Sequence, residues 1–159
     1  MWAWLALLEC LACIMLELAE AAHAVQIATL HAYAFLHGWS ADDFLKHIEN
    51  AMDDVLVWAE NGEVFGFVVM RTQDDQAEVL TIVVSATRQN KGLGAKILNE
   101  GERYVARRGA DIVFLDVAAD TPAAVKLYQK TGYQRCGTRR GYYRREKGRV
   151  DAFLFSKHI

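Results

Sequence analysis

Proline is nearly missing from this 159-residue chain, with Pro122 alone against eleven glycines. That excludes collagen-like and linker-rich organisation. Cysteine is scarce too: three thiols are too few for a disulfide framework, and an odd count would leave one unpaired in a secreted chain. A reducing, cytoplasmic setting is therefore expected. No Lys or Arg precedes Lys46, so the apolar opening through Leu16 lacks the positive region of a secretory signal. Glu9 and Glu17 interrupt that opening short of the roughly 20 apolar residues that a spanning helix needs. Buried helix or strand is preferred over a membrane or partner contact, and Met1–Cys10 is set apart as a candidate apolar extension. The Cys10-x-x-Cys13 pair has no second ligand pair at similar spacing, so no metal is expected.

What is present describes a folded protein. Hydrophobic residues make up 53% and charged residues 24%, a globular composition. The length fits one domain over residues 1–159, with no repeat or linker to divide it. The net charge of −2 hides an asymmetry. Residues 1–60 set Lys46 against nine acids, giving −8, whereas residues 61–159 set 17 bases against 11 acids, giving +6. Either a domain split or a second half facing an anionic ligand satisfies that arithmetic.

The periodicity predicts a strand at Leu11–Leu18, an Ala-rich helix from Glu20 to about Phe35, and a helix opened by Ser40 and running through Ile48. Asp54–Glu60 and Glu63–Arg71 form a hairpin on Asn61-Gly62. A β-branched strand follows at Ala77–Val84, then a helix over Gly92–Arg108 with Gly109 as its stop. Ile112–Val117 reads as a strand apolar on both faces, as in a covered parallel sheet. Thr121-Pro122 opens another helix. Tyr133–Arg140 and Val150–Ser156 read as closing strands around a basic loop. The order β-α-α-β-β-β-α-β-α-β-β makes an α/β domain with a mixed sheet flanked by helices.

Four features carry chemistry. The segment Gln89-Asn90-Lys91-Gly92-Leu93-Gly94-Ala95 lies between a strand and a long helix, where glycines and free helix N–H groups suit a phosphate. It is neither a P-loop nor a dinucleotide fingerprint, since no Gly-Lys-Ser/Thr follows and Ile97 fills the third glycine position. Asp116 sits in an apolar strand, where a carboxylate is costly unless paired, used or placed at the strand's exit. Tyr128 shares a helical face with Ala124 and Leu127, a spacing that packing alone also explains. The run Arg139-Arg140-Gly141-Tyr142-Tyr143-Arg144-Arg145 could meet RNA. Its charges gather in one loop, so a solvated hairpin at a substrate mouth ranks first, and no specific nucleic acid and no membrane partner is expected.

Together these residues resemble the GCN5-related N-acetyltransferase superfamily, whose signature Gln/Arg-x-x-Gly-x-Gly/Ala reads here as Gln89 to Gly94. Leu115-Asp116-Val117, the twelve positions from Asp116 to Tyr128, and Arg139-Arg140-Gly141-Tyr142-Tyr143 with Gly148-Arg149-Val150-Asp151-Ala152 narrow the likeness. They are similar to the bacterial ribosomal-protein-alanine N-acetyltransferases. The likeness runs from about Asp54 to Phe155 and is thinner upstream, at Leu30–Phe35 and Trp39-Ser40. It implies a mostly antiparallel mixed sheet and an acetyl-CoA-dependent enzyme acting on a protein or peptide N-terminus. By the resemblance, Ile82, Val83 and Val84 offer main-chain groups to the pantetheine and acetyl carbonyl. Gln89, Asn90, Lys91, Gly92, Leu93, Gly94 and Ala95 hold the pyrophosphate, and Thr121 stands by the pantetheine arm. Asp116 falls at the base, Tyr128 at the general acid, and Tyr142 and Tyr143 at the acceptor. Three residues depart from the pattern: Asp116 replaces Glu, Thr121 replaces Asn, and Val150 replaces an acid.

The chemistry stands by itself. An α-amine of pKa ~7.8 is roughly 15% neutral at pH 7, against about 0.04% for a Lys at ~10.4, so a modest carboxylate base suits an N-terminal amine. Phenol (~10) to thiolate (~8.5) transfer is uphill by about 2 kcal/mol, and a proton-transfer role would put ~10²–10⁴ in kcat on Asp116 or Tyr128. Acetylation of a small amine, and a cofactor-binding module without turnover, are the rival readings. Glu78 is the alternative base.

Overall fold

Turn and cap chemistry sets the chain's path in the computed structural model, which describes residues 15–159. Strand β1 (Met15–Leu18) leads through a 3-10 turn at Ala21–His23 into α1 (Ala24–Ala34), so the expected first helix starts later than its Ala-rich sequence suggests. Helix α2 (Ala41–Glu49) begins at a capping box, in which Ser40 Oγ accepts from the Asp43 N–H while Asp43 accepts from the Ser40 N–H. Strands β2 (Asp53–Glu60) and β3 (Glu63–Gln73) join through Asn61 and Gly62, both at positive φ as a tight hairpin demands. After a turn at Asp74-Asp75 come β4 (Gln76–Val84), α3 (Leu93–Arg107), β5 (Ile112–Ala118) and α4 (Pro122–Lys130). Strands β6 (Gln134–Arg145) and β7 (Gly148–His158) close the chain. Met1–Cys10 and the Cys10-x-x-Cys13 pair lie outside the described residues.

The strands form one sheet in the order β1-β2-β3-β4-β5-β7-β6, antiparallel throughout except for the β4–β5 pair. Alternation along β3 divides the core. Val68 and Met70 pack with Ile97, Leu98 and Val105 of α3 and with Tyr128 of α4. Phe67 and Val69 pack with Ile27 of α1 and Phe44 of α2 on the other face. Helix α3 comes very close to β3: a Cβ on Gly66 would stand 2.6 Å from Ile97 Cδ1, and one on Gly101 would stand 2.7 Å from Met70 Sδ. Those two glycines set the depth of α3 and hence the place of its N-terminus beside β4.

Two expectations are corrected. Strand β5 is not covered on both faces: Val113, Leu115 and Val117 are buried, while Ile112, Phe114 and Asp116 are only half-buried. Helices α1 and α2 do not reach this far across the sheet, and an apolar sequence hides the difference. Nor do the basic residues form a loop. They lie in β6 and β7, which run on to a two-residue turn at Glu146-Lys147, because Tyr142, Tyr143 and Val150 keep the strand pattern going.

Among the described residues, no helix is long and apolar enough to cross a membrane.

Candidate active site

The sheet opens where its one parallel pair ends. Strands β4 and β5 are in register only from Gln76↔Ile112 to Val79↔Leu115, after which β4 continues to Val84 and β5 to Ala118 without pairing. A slip in the β3–β4 ladder pairs Met70 with Val79 and Val69 with Thr81, leaving Leu80 as an extra residue. Such a bulge bends its strand, here at the mouth of the gap. The Ser85 N–H donates to Phe65 O. Alternation therefore turns the main-chain groups of Val83 toward β3 and those of Ile82 and Val84 into the gap. Gln89 Nε2 donates to Val84 O at 2.9 Å, so one carbonyl of that edge is already held.

At the end of this edge the chain makes a turn with Asn90 and Gly92 at positive φ (59° and 81°) and enters α3. The first helical bond there runs from the Lys96 N–H to Gly92 O, which leaves the N–H groups of Leu93, Gly94 and Ala95 pointing outward. No acid stands in this first turn, so the helix end offers an anion its partial positive charge. A Cβ on Gly94 would lie 3.4 Å from Leu127 Cδ2, which puts the start of α3 close beside α4. Lys91 Nζ is turned back onto Thr87 O, and Thr121 Oγ1 donates to Ala118 O at the exit of β5.

On the α1/α2 side the uncovered part of the sheet forms a cleft of about 460 Å³, lined among others by Glu78, Phe114, Asp116, Arg139 and Leu154. Asp116 opens into it, 18% exposed, and pairs with Arg139 Nη1 at 3.1 Å. Glu78 is on the same face, beside Phe114 in the β4–β5 register. The Tyr143 hydroxyl donates to the Asp116 carbonyl at 3.3 Å, while Tyr142 stands half exposed with its ring edge-on to that of Tyr143. Tyr128 belongs to the opposite face, 6% exposed, with its ring against Tyr133 and Phe155. Burial, and then the neighbouring Tyr143, push its phenol well above the usual range. Asp116 and Tyr128 thus lie on opposite faces of the sheet, and the Tyr143 hydroxyl reaches the main chain of Asp116. In the sequence Arg139 is one of several bases in a run; its pairing with Asp116 depends on the β6–β7 register, which no local pattern announces.

The sequence and the fold have counterparts among known proteins. Residues 15–133 match the acetyltransferase (GNAT) family. The [ribosomal protein bS18]-alanine N-acetyltransferase of Escherichia coli K12 is 31% identical over 100 residues, 63% of this chain and 68% of that one. The N-alpha-acetyltransferase RimI of Mycobacterium tuberculosis is 33% identical over 129 residues, 77% of this chain and 80% of that one. The crystal structure of the ribosomal-protein-S18-alanine N-acetyltransferase from Escherichia coli superposes with a TM-score of 0.84 at 25% identity, covering 91% and 93% of the two chains.

Proposed function

The chain belongs to the acetyltransferase (GNAT) family, as an N-acetyltransferase, and from that premise we propose that it takes acetyl-CoA as its co-substrate and the N-terminal α-amine of a protein or peptide as its acceptor. The observation that carries this reading is the carboxylate-lined cleft, which holds Asp116 at its inner end where β4 and β5 part. The bS18 alanine named for the relatives makes a ribosomal protein in the cytoplasm the first acceptor to try.

The residues divide the work as follows. The Ile82 and Val84 edge and the first turn of α3 bind the pantetheine and pyrophosphate, with Gln89 to Ala95 forming the cradle and Thr121 facing the arm. The acetyl thioester supplies an activated acyl group, and main-chain N–H at the β4 edge donates to its carbonyl oxygen. Asp116 takes the proton of the amine, directly or through water, and an α-amine suits so mild a base. Tyr128 donates a hydrogen bond to the leaving sulfur. Tyr142 and Tyr143 flank the acceptor chain.

The test is incubation with acetyl-CoA and a panel of N-terminal peptides, Lys peptides and polyamines, followed by thiol release. Turnover confined to free N-terminal peptides is expected. Preference for polyamines would move the protein to the small-amine acetyltransferases.

A further inference from the structure

Asp116, the carboxylate placed to meet the acceptor, already has a cation on it. Arg139 Nη1 stands 3.1 Å from its Oδ2. The two partners differ in freedom: the Asp116 side chain is 18% exposed and that of Arg139 is 52% exposed. In the same pose its guanidinium carbon lies 5.2 Å from the centre of the Tyr142 ring, within cation–π range, so that ring contact is already in place to hold Arg139 when the ion pair opens. The backbone holds Arg139 at this spot. Arg139 pairs with Ala152 and Tyr143 with Val150, so three residues, Arg140 to Tyr142, oppose Asp151 alone. The excess is taken up by Gly141 at φ 55°, whose N–H donates to Asp151 Oδ1.

A guanidinium satisfies the charge of a carboxylate but yields no proton, being protonated at every working pH. Bound to Arg139, Asp116 therefore faces a cation that leads nowhere; bound to an ammonium, it faces one that can lose a proton and attack. We propose that Arg139 is the resting counter-ion of the acceptor site, displaced from Asp116 by the ammonium of the incoming N-terminus and received by the Tyr142 ring. The inference rests on the N-terminal acceptor proposed above and on Asp116 meeting it. It makes the site selective for a cationic headgroup: an acceptor end without positive charge offers nothing in exchange for the ion pair. Since Arg139 is half exposed, the exchange is a modest one, on the scale of a surface pair.

The test measures binding rather than turnover. A hexapeptide with a free N-terminal alanine, and the same peptide with that amine replaced by hydrogen, are titrated by calorimetry into protein saturated with CoA. Arg139→Gln, with Arg139→Ala as a second variant, should bind the amine peptide about two- to fivefold more tightly than the wild type does. The des-amino peptide should change much less. Weaker binding of both peptides would make Arg139 a direct peptide contact and overturn the proposal. Equal tightening of both would reduce it to a steric obstacle, and no change in either would make the pair a bystander. Both of those results also overturn it. Failure of the acceptor reading shows separately, as a wild type that releases thiol with polyamines or Lys peptides and not with this alanyl peptide.

Discussion

Replacing Tyr128 by Phe isolates one oxygen atom. The ring is buried, with neighbouring ring centres at 5.8 Å (Tyr133) and 6.3 Å (Phe155), and Phe preserves each of these contacts. Thermal stability should therefore change by no more than about 1 kcal/mol. The effect on turnover follows from the phenol's surroundings. An ordinary phenol lies about 2 kcal/mol uphill of a thiolate as a proton donor, and each further unit of pKa adds ~1.4 kcal/mol. Burial pushes Tyr128 well above the ordinary value, which disfavours full transfer and leaves a hydrogen bond to the developing charge. Such a bond is worth ~1.5–3 kcal/mol, so kcat should fall by roughly 10- to 150-fold, mostly below the ~10²–10⁴ expected for a full proton-transfer role. The raised pKa also keeps the donor protonated above pH 10, so the wild type should show no alkaline limb from Tyr128 near that value. The assay is thiol release under saturating acetyl-CoA across pH 7–10.5, paired with calorimetry of acetyl-CoA and a melting curve. A variant within twofold of wild-type kcat would return Tyr128 to packing. A loss explained by acetyl-CoA affinity would refute the reasoning as surely.

Asp116→Asn should lower kcat about 10²- to 10⁴-fold with acetyl-CoA affinity kept, while Glu78→Gln should act mainly on acceptor KM; pH–rate profiles that show the reverse would move the base to Glu78. Gly94→Glu should abolish acetyl-CoA binding by calorimetry, because the new side chain meets Leu127 and sets a carboxylate beside the free N–H groups of α3; unchanged affinity would misplace the pyrophosphate. His31, buried and accepting the Trp39 N–H on Nδ1, has its pKa lowered to about 4 by desolvation. Between its ordinary value of ~6.5 and about 4, the unfolded chain binds the proton and the folded one does not. Stability should therefore fall as pH drops through that window, and urea midpoints that stay flat from pH 6.5 to 4 would contradict it.

Much of the framework was legible because it is written locally. The Asn61-Gly62 turn, the Ser40 cap, Pro122 at a helix start, and the glycine turn between β4 and α3 are each set by a few neighbouring residues. What escaped depends on partners far along the chain. The run Ile-Val-Phe-Leu-Asp-Val-Ala does not say which face of β5 is left uncovered, so the sequence leaves Asp116 open between a paired or used carboxylate and a solvated one at the strand's exit, whereas it borders a cleft and pairs with Arg139. The extra residue at Leu80 looks like any other in a β-branched strand, although it marks where the sheet opens. Arg139 and Asp116 meet only because β6 returns beside β7 in one register, with its surplus at Gly141. Periodicity carries no information about that.

The two halves of this sheet are dressed very differently. Strands β2 and β3 are covered on both sides by helices, and Asp53 is gripped by Arg71 and His47 besides. Most residues of β6 are exposed, and among the described strands it shares a hydrogen-bond ladder with β7 alone. Amide exchange should accordingly be slowest around Val57 and Val68 and fastest along Thr138–Arg145. Acetyl-CoA would be received by the rigid half, whereas Arg139, Tyr142 and Tyr143 ride on the yielding one. Evolution acting on such a body can rewrite which amine is accepted without disturbing how the acetyl group is delivered.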